Sequence, residues 1–247
     1  MQFDLFDQEL NRVLEAADYA TFKRLLQGYN CTACELHKYR HQIVVDRGNP
    51  ASAVMVISER PGENEDRTGQ AFVGRAGEML DKIFSSIGLD SNRDMLICNV
   101  VKCMPVSTRE DMTIEDRAPQ AEEVKACLPF LQKQISLMKP KLILLLGAVA
   151  LKHIARTGGE FTMEEEAGKF FTLPEYPGIQ FMVLYHPAFL LRDPRRKKDM
   201  WEHVKKLRGY LEEQGILNPK SQIPNYKRCF EEEGILNPKS QIPNPKL

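Results

Sequence analysis

Pro140-Lys141-Leu142-Ile143-Leu144-Leu145-Leu146-Gly147 is the stretch whose reading decides the fold. Five apolar residues stand between a Pro-Lys pair and a glycine, too few for a helix and without polar alternation. A strand of this kind has to be covered on both faces, as in a buried parallel sheet. Working outward, similar Val-, Ile- and Leu-rich runs occur at residues 53–57, 95–100 and 181–185, each bounded by polar or Gly/Pro segments. Helical segments fall between and after them, at residues 76–87, 120–138, 148–155 and 195–213. Strand alternating with helix predicts an α/β fold whose parallel sheet is covered on both faces. Ligands in such folds bind beyond the carboxyl ends of the strands. The loops starting at Ser58, Val101, Gly147 and His186 are therefore the ones to search.

The remainder of the chain frames this domain. Residues 4–27 read as an amphipathic helix, with Leu5, Leu10, Val13, Leu14, Ala17, Phe22, Leu25 and Leu26 at roughly helical spacing. The expected organisation is one domain over residues 1–211, with a helical N-terminal segment at 1–29 and a polar tail at 212–247. The tail carries GILNPKSQIPN twice, at 215–225 and 234–244. Two copies are too few for a solenoid, and the segment reads as a dispensable extension.

Lys plus Arg number 34 and Asp plus Glu number 34, so any DNA partner would have to be met by a local basic face. No apolar run approaches the ~18 residues of a spanning helix. Met1-Gln2-Phe3-Asp4 lacks the basic and apolar regions of a signal peptide. The expectation is an intracellular monomer without a membrane partner.

Three constellations carry chemistry. The loop after the first strand runs SERPGENEDRTGQAFVGRAG from Ser58 to Gly77. Its carboxylates, Glu59 and Glu65 among them, sit at a strand's carboxyl end, where they can activate water or stabilise a cation. Phe72 in the same loop can stack on a flat ring. The second constellation, His186-Pro187-Ala188-Phe189-Leu190-Leu191-Arg192, follows the fourth strand directly. A histidine there can donate to developing negative charge. The apolar residues behind it can wedge a base stack, and Arg195, Arg196, Lys197 and Lys198 can meet phosphates. The third is cysteine. Cys31-x2-Cys34 is a metal-type pair, joined at a distance by Cys103 and Cys127. Four thiolates suit zinc or an iron–sulfur cluster equally on spacing alone. Cys98 falls inside a strand and reads as core, and Cys229 lies in the tail.

The pieces CTAC, SERPGENEDRTGQAFVGRAG, CNVVKC, ACLPF, LILLLG and HPAFLLR occur in an order that resembles the family 4 uracil-DNA glycosylases. The resemblance covers residues 30–211. It implies a three-layer α/β/α sandwich around a four-stranded parallel sheet. It also implies a 4Fe–4S cluster, with Cys31, Cys34, Cys103 and Cys127 at the ligand positions. The implied activity is DNA repair: hydrolysis of the N-glycosidic bond of uracil in DNA, by base flipping and water attack, without strand cleavage.

In that scheme Phe72 stacks on uracil and Asn99 reads its edge, accepting from N3–H and donating to O4. His186 bonds O2 as the base leaves. Glu59 stabilises the sugar cation or positions water, and Glu65 shares that work. Leu190 and Leu191 fill the gap in the stack, and Arg192, Arg195 and Arg196 hold DNA.

Two departures stand out. The family's first motif usually reads GEAPG, whereas Ser58 and Arg60 replace a Gly and an Ala here. Arg60 is expected to point outward to a phosphate rather than to pair with Glu59 or Glu65. The gap between Cys103 and Cys127 holds an insertion at 107–119 that is acidic and lacks histidine. A related branch traps uracil covalently through a histidine in a basic insertion here, so covalent trapping is not expected. The altered motif leaves one alternative, a catalytically silent iron–sulfur protein that binds DNA or a repair partner.

Overall fold

A computed structural model describes residues 2–108, 114–155 and 159–218. Helices α1 (Gln2–Leu14) and α2 (Tyr19–Gly28) open the chain, so the single expected N-terminal helix is two. The break has a local cause: Asp18 is extended and its carboxylate accepts from the Thr21 N–H, capping α2. Strands β1 (Arg47–Gly48) and β2 (Val54–Ser58) follow, then helices α3 (Glu63–Thr68) and α4 (Arg75–Ser85). Next come β3 (Met95–Asn99), a small hairpin β4 (Val106–Thr108) and β5 (Ile114–Asp116), and helix α5 (Ala121–Met138). The last third is β6 (Leu142–Leu146), α6 (Gly147–Ala155), α7 (Met163–Glu166), β7 (Phe170–Thr172), β8 (Gln180–Leu184), α8 (Pro187–Arg192) and α9 (Lys197–Glu213).

The four apolar runs form the parallel strands β3, β2, β6 and β8, in that order. The sheet has six strands rather than four. The short β1 and β7 add antiparallel edges to β3 and β8. Side chains alternate between two cores. Val54, Val56, Leu142, Leu144, Met182 and Leu184 pack under α4, α8 and α9. Met55, Ile57, Ile143, Leu145, Phe181 and Val183 pack under α5 and α6. Burial on both faces is why the strands read as continuous apolar runs. Cys98 lies in the second core, as its place in a strand implied. A third, smaller core joins α1 and α2 to α5 through Val13, Phe22, Leu26 and Phe130.

The chain steps from β2 to β3 on one side and later to β6 on the other, so the order reverses between β2 and β6. A crevice is expected at that reversal. Most of the duplicated tail, Cys229 and the middle of the insertion lie outside the described residues. Among the described residues no helix is long and apolar enough to cross a membrane.

Candidate active site

A cavity of about 640 Å³ opens at the reversal of strand order. Glu59 and Arg60 beyond β2, Gly147 beyond β6 and His186 beyond β8 line it, joined by Phe72 and Arg192. The crevice therefore brings the first two sequence constellations together.

Glu65 organises the loop. One carboxylate oxygen accepts from Gly62 N–H at 3.1 Å, and the other from Val73 and Gly74 N–H, both at 2.9 Å. This closes the first turn of α3 and pins the segment after Phe72, which sits at φ 56°. Gly77 allows the turn to close, since a Cβ there would lie 1.9 Å from the Phe72 carbonyl oxygen. Glu65 also lines the cavity, but three backbone donors already occupy its oxygens. Its geometry is that of a holding residue more than of a second catalytic acid.

His186 is the N-cap of α8, and its Nδ1 accepts from Ala188 N–H at 3.0 Å. Burial, with Arg192 and Arg60 nearby, holds its pKa down to about 4. The ring is therefore neutral near pH 7. With Nδ1 accepting, the proton resides on Nε2, which becomes a donor. Phe72 packs 5.8 Å from the His186 ring, tilted by 40°. Burial pushes the Glu59 carboxyl up, against the opposing pull of Arg60 and Arg192.

Asn99 ends β3 in register with Ser58 of β2. It is 1% exposed and is not among the residues that line the cavity. Its Oδ1 and the Ser58 Oγ are buried without a hydrogen-bond partner among the described residues. Such orphans are uncommon and costly, and they suit a site that waits for a ligand's donor.

The wedge and the basic cluster come out differently from the sequence reading. Leu190 is 1% exposed and belongs to the core beneath α8, so it cannot enter a base stack. Leu191 is half-buried and remains available. Arg195 is engaged with Asp193 at 2.8 Å, and Arg196 with Glu164 at 2.7 Å. Arg192 is exposed at the cavity rim and has no ion-pair partner among the described residues.

Arg60 pairs with neither Glu59 nor Glu65, and it does not point freely outward. It donates to Asp116 of β5 and to the Pro61 carbonyl at 3.2 Å, tying the inserted hairpin to the rim. Arg117, the next residue, anchors the same end of the hairpin through a two-pronged contact with Glu123, at 2.6 and 2.8 Å. Arg60→Ala is expected to leave the Asp116 carboxylate uncompensated beside Glu59 and to weaken binding of single-stranded DNA. Adding Asp116→Asn should restore most of the loss. Fluorescence anisotropy at two salt concentrations checks both, and equal affinities for wild type and Arg60→Ala would refute the role.

The fold gathers Cys31, Cys34, Cys103 and Cys127. Cys31 and Cys103 lie in the small core with Phe130, and Cys34 packs against it. Burial pushes the Cys103 thiol up, and Cys127, Cys31 and Cys34 add to the rise, so all four are within reach of one another's charge. Burial likewise pushes Cys127 up to about 11. Two cations oppose this: Arg40 Nη1 lies 3.9 Å from Cys103 Sγ, and Lys102 pulls on Cys127. Among the described residues no three His, Cys, Asp or Glu side chains converge as ligands of one ion would. A tetrahedral ion at a Zn–S length of ~2.3 Å would draw its sulfurs to about 3.8 Å from each other. Four free thiols suit a single zinc ion or an iron–sulfur cluster by their donor chemistry. Arg40, Lys102 and Asp66 (which accepts from the His41 N–H) carry no sequence signal, because each has a partner remote in the chain, Cys103, Gln134 and His41 respectively.

Comparison with known proteins shows the family. The family model of the uracil DNA glycosylase superfamily matches residues 45–208. A type-4 uracil-DNA glycosylase of Pyrobaculum aerophilum is 38% identical over 67% of this chain and 81% of its own. That of Thermotoga maritima is 34% identical over 75% of this chain and 91% of its own. That of Sulfurisphaera tokodaii is 35% identical over 72% and 79%. At this identity and coverage, the chain belongs to the type-4 uracil-DNA glycosylases of the uracil DNA glycosylase superfamily and is a hydrolase of DNA repair.

Proposed function

We propose that the chain takes a flipped-out deoxyuridine into the cavity between β2 and β6 and hydrolyses its N-glycosidic bond. The observation that carries this is the neutral His186, whose Nε2–H is left free by the Ala188 N–H on Nδ1. A duplex hides the reacting bond, so the nucleotide has to leave the stack. Uracil stacks on Phe72, and the orphaned Asn99 Oδ1 accepts its N3–H. The Asn99 amide donates to O4, and cytosine, with donor and acceptor reversed, is refused.

As the C1′–N1 bond breaks, negative charge gathers on the base and His186 donates to O2. Glu59 faces the positive sugar. Its raised carboxyl suits it to take the proton of the attacking water, whose oxygen bonds to C1′. Uracil leaves as its anion. Among the described residues that line the cavity there is no lysine, which supports hydrolysis without a Schiff base and without strand cleavage. Arg192 holds a phosphate at the rim, and Leu191 fills the space vacated in the stack. Cys31, Cys34, Cys103 and Cys127 hold a 4Fe–4S cluster, which ties the N-terminal segment, the exit of β3 and α5 into one unit. Arg60 is paired with Asp116, and burial outweighs its pull on Glu59, whose carboxyl stays raised, so the altered motif gives little support to a silent protein.

Asn99→Asp tests the base-reading step. A carboxylate cannot donate to O4, and a buried hydrogen bond lost with one partner left unpaired costs about 1–3 kcal/mol. Single-turnover excision from a uracil-containing single strand should fall roughly ten- to hundredfold. A rate equal to wild type would move the base-reading site elsewhere.

A further inference from the structure

Between the base-reading strand end and the thiol centre lies a buried cation that the reaction does not use. Lys102 is 1% exposed. Its Nζ donates to the Asn99 carbonyl at 2.8 Å and to Gln134 Oε1 at 2.5 Å. Gln134 is itself fixed, since its Nε2 donates to the Tyr19 hydroxyl at 2.8 Å and to the Val45 carbonyl at 3.3 Å. Its amide oxygen is thereby turned toward Lys102. Tyr19 in turn donates to Asp46, which Lys23 already neutralises at 2.6 Å. Among the described residues no carboxylate forms an ion pair with Lys102.

A buried ammonium held only by neutral acceptors is costly, and buried charges are normally compensated. Nearby candidates for the missing negative charge are sulfurs. Lys102 precedes Cys103 in the chain, its backbone N–H hydrogen-bonds Cys127, and its charge acts on both Cys127 and Cys98. Cys98 is sealed in the core and lies outside the four-thiol set. Arg40 flanks the same centre from the other side, donating to the Cys31 carbonyl at 2.7 Å. Two cations thus face a set of thiols, an arrangement that is balanced when the thiols are thiolates.

We propose that Lys102 is a positioning residue: its ammonium fixes the Asn99 carbonyl from behind the site, while the thiolates of the four-cysteine centre supply its counter-charge. The proposal rests on Asn99 reading the base and on a cluster at the four cysteines. Holding the Asn99 carbonyl sets the backbone at the end of β3 and so aims the side-chain amide. Occupation of the thiol centre and recognition of uracil are then linked through one side chain.

The test uses the full, iron-loaded chain with Lys102→Met and Lys102→Gln. Two quantities are read: the cluster's midpoint potential, by redox titration followed in the visible, and single-turnover excision from a uracil-containing single strand. Lys102→Met should move the potential to a more negative value, because a nearby positive charge favours the added electron. It should slow excision at least about tenfold. Lys102→Gln removes the charge but retains a donor. It should show the same shift in potential with excision partly recovered. If Lys102→Met fails to fold, the potential of Lys102→Gln decides. A wild-type potential in the charge-free variants overturns the counter-charge role, and wild-type excision by Lys102→Met overturns the positioning role. Asn99→Ala is assayed in parallel. If it excises uracil normally, the base-reading assignment falls by itself. If it is slow while Lys102→Met is not, only the role of Lys102 falls.

Discussion

His186→Ala is expected to lower the single-turnover rate of uracil excision by about a hundred- to a thousandfold, or about 2.7–4 kcal/mol of barrier. The size follows from where the imidazole acts. It is half-buried, neutral and locked in one tautomer by the Ala188 N–H, so its Nε2–H is aimed before the bond breaks. A donor that needs no reorganisation is worth most where charge develops in a site closed to water. His186→Gln, which keeps a donor with less certain aim, should fall between wild type and His186→Ala. A single-turnover comparison at saturating enzyme checks the order.

The same environment fixes the pH dependence. The folded-state pKa of His186 is about 4, below the ordinary 6.5. Its contribution to stability is therefore complete above about pH 6.5 and is lost as pH falls toward 4. Between pH 6.5 and 8 no step in the excision rate should arise from this ring. Removing Arg192, whose charge helps to keep the ring neutral, should move the acid limb to higher pH.

Cys127→Ala is expected to abolish iron retention and to lower solubility and thermal stability, whereas Cys98→Ala should keep the iron. The contrast is topological. Cys127 on α5 lies within electrostatic reach of Cys103 at the exit of β3 and of the Cys31–Cys34 loop that follows α2. Cys98 is packed in the second core, its thiol pushed up to about 11 by burial, among apolar neighbours. A group that ties three segments contributes its binding energy to folding, so losing one ligand loosens the whole small core around Phe22, Leu26 and Phe130. Iron and acid-labile sulfide analysis of anaerobically purified variants checks this. Zinc in place of iron in the wild-type protein would contradict the cluster assignment.

How much of this was legible in the sequence depends on the distance over which each feature acts. The four parallel strands could be read because both their faces are buried, which leaves an unbroken apolar run such as Leu142–Leu146. The edges β1 and β7 could not, since two or three half-exposed residues carry no periodicity. Glu59, Phe72 and His186 meet at the cavity because each follows the carboxyl end of a strand, a position that the order of elements fixes. Leu190 illustrates the opposite case. In sequence it is equivalent to Leu191, and only the rotation of α8 on the sheet sends it into the core. Arg60 was legible as an anomaly but not as half of a pair, because Asp116 reaches it only through the folding of the inserted hairpin. Glu65 announced a carboxylate at a strand end. That three backbone N–H groups already engage it is a property of the folded loop.

The most direct measurement incubates the iron-loaded chain with end-labelled single strands that differ only in carrying one uracil or one cytosine. Free base and strand integrity are followed before and after alkali. The expected result is release of uracil, an intact strand that breaks at the former uracil only after alkali, and no product from cytosine. Absence of uracil release, or a strand cut before alkali, would contradict a hydrolytic uracil-DNA glycosylase built around Glu59, Phe72, Asn99 and His186.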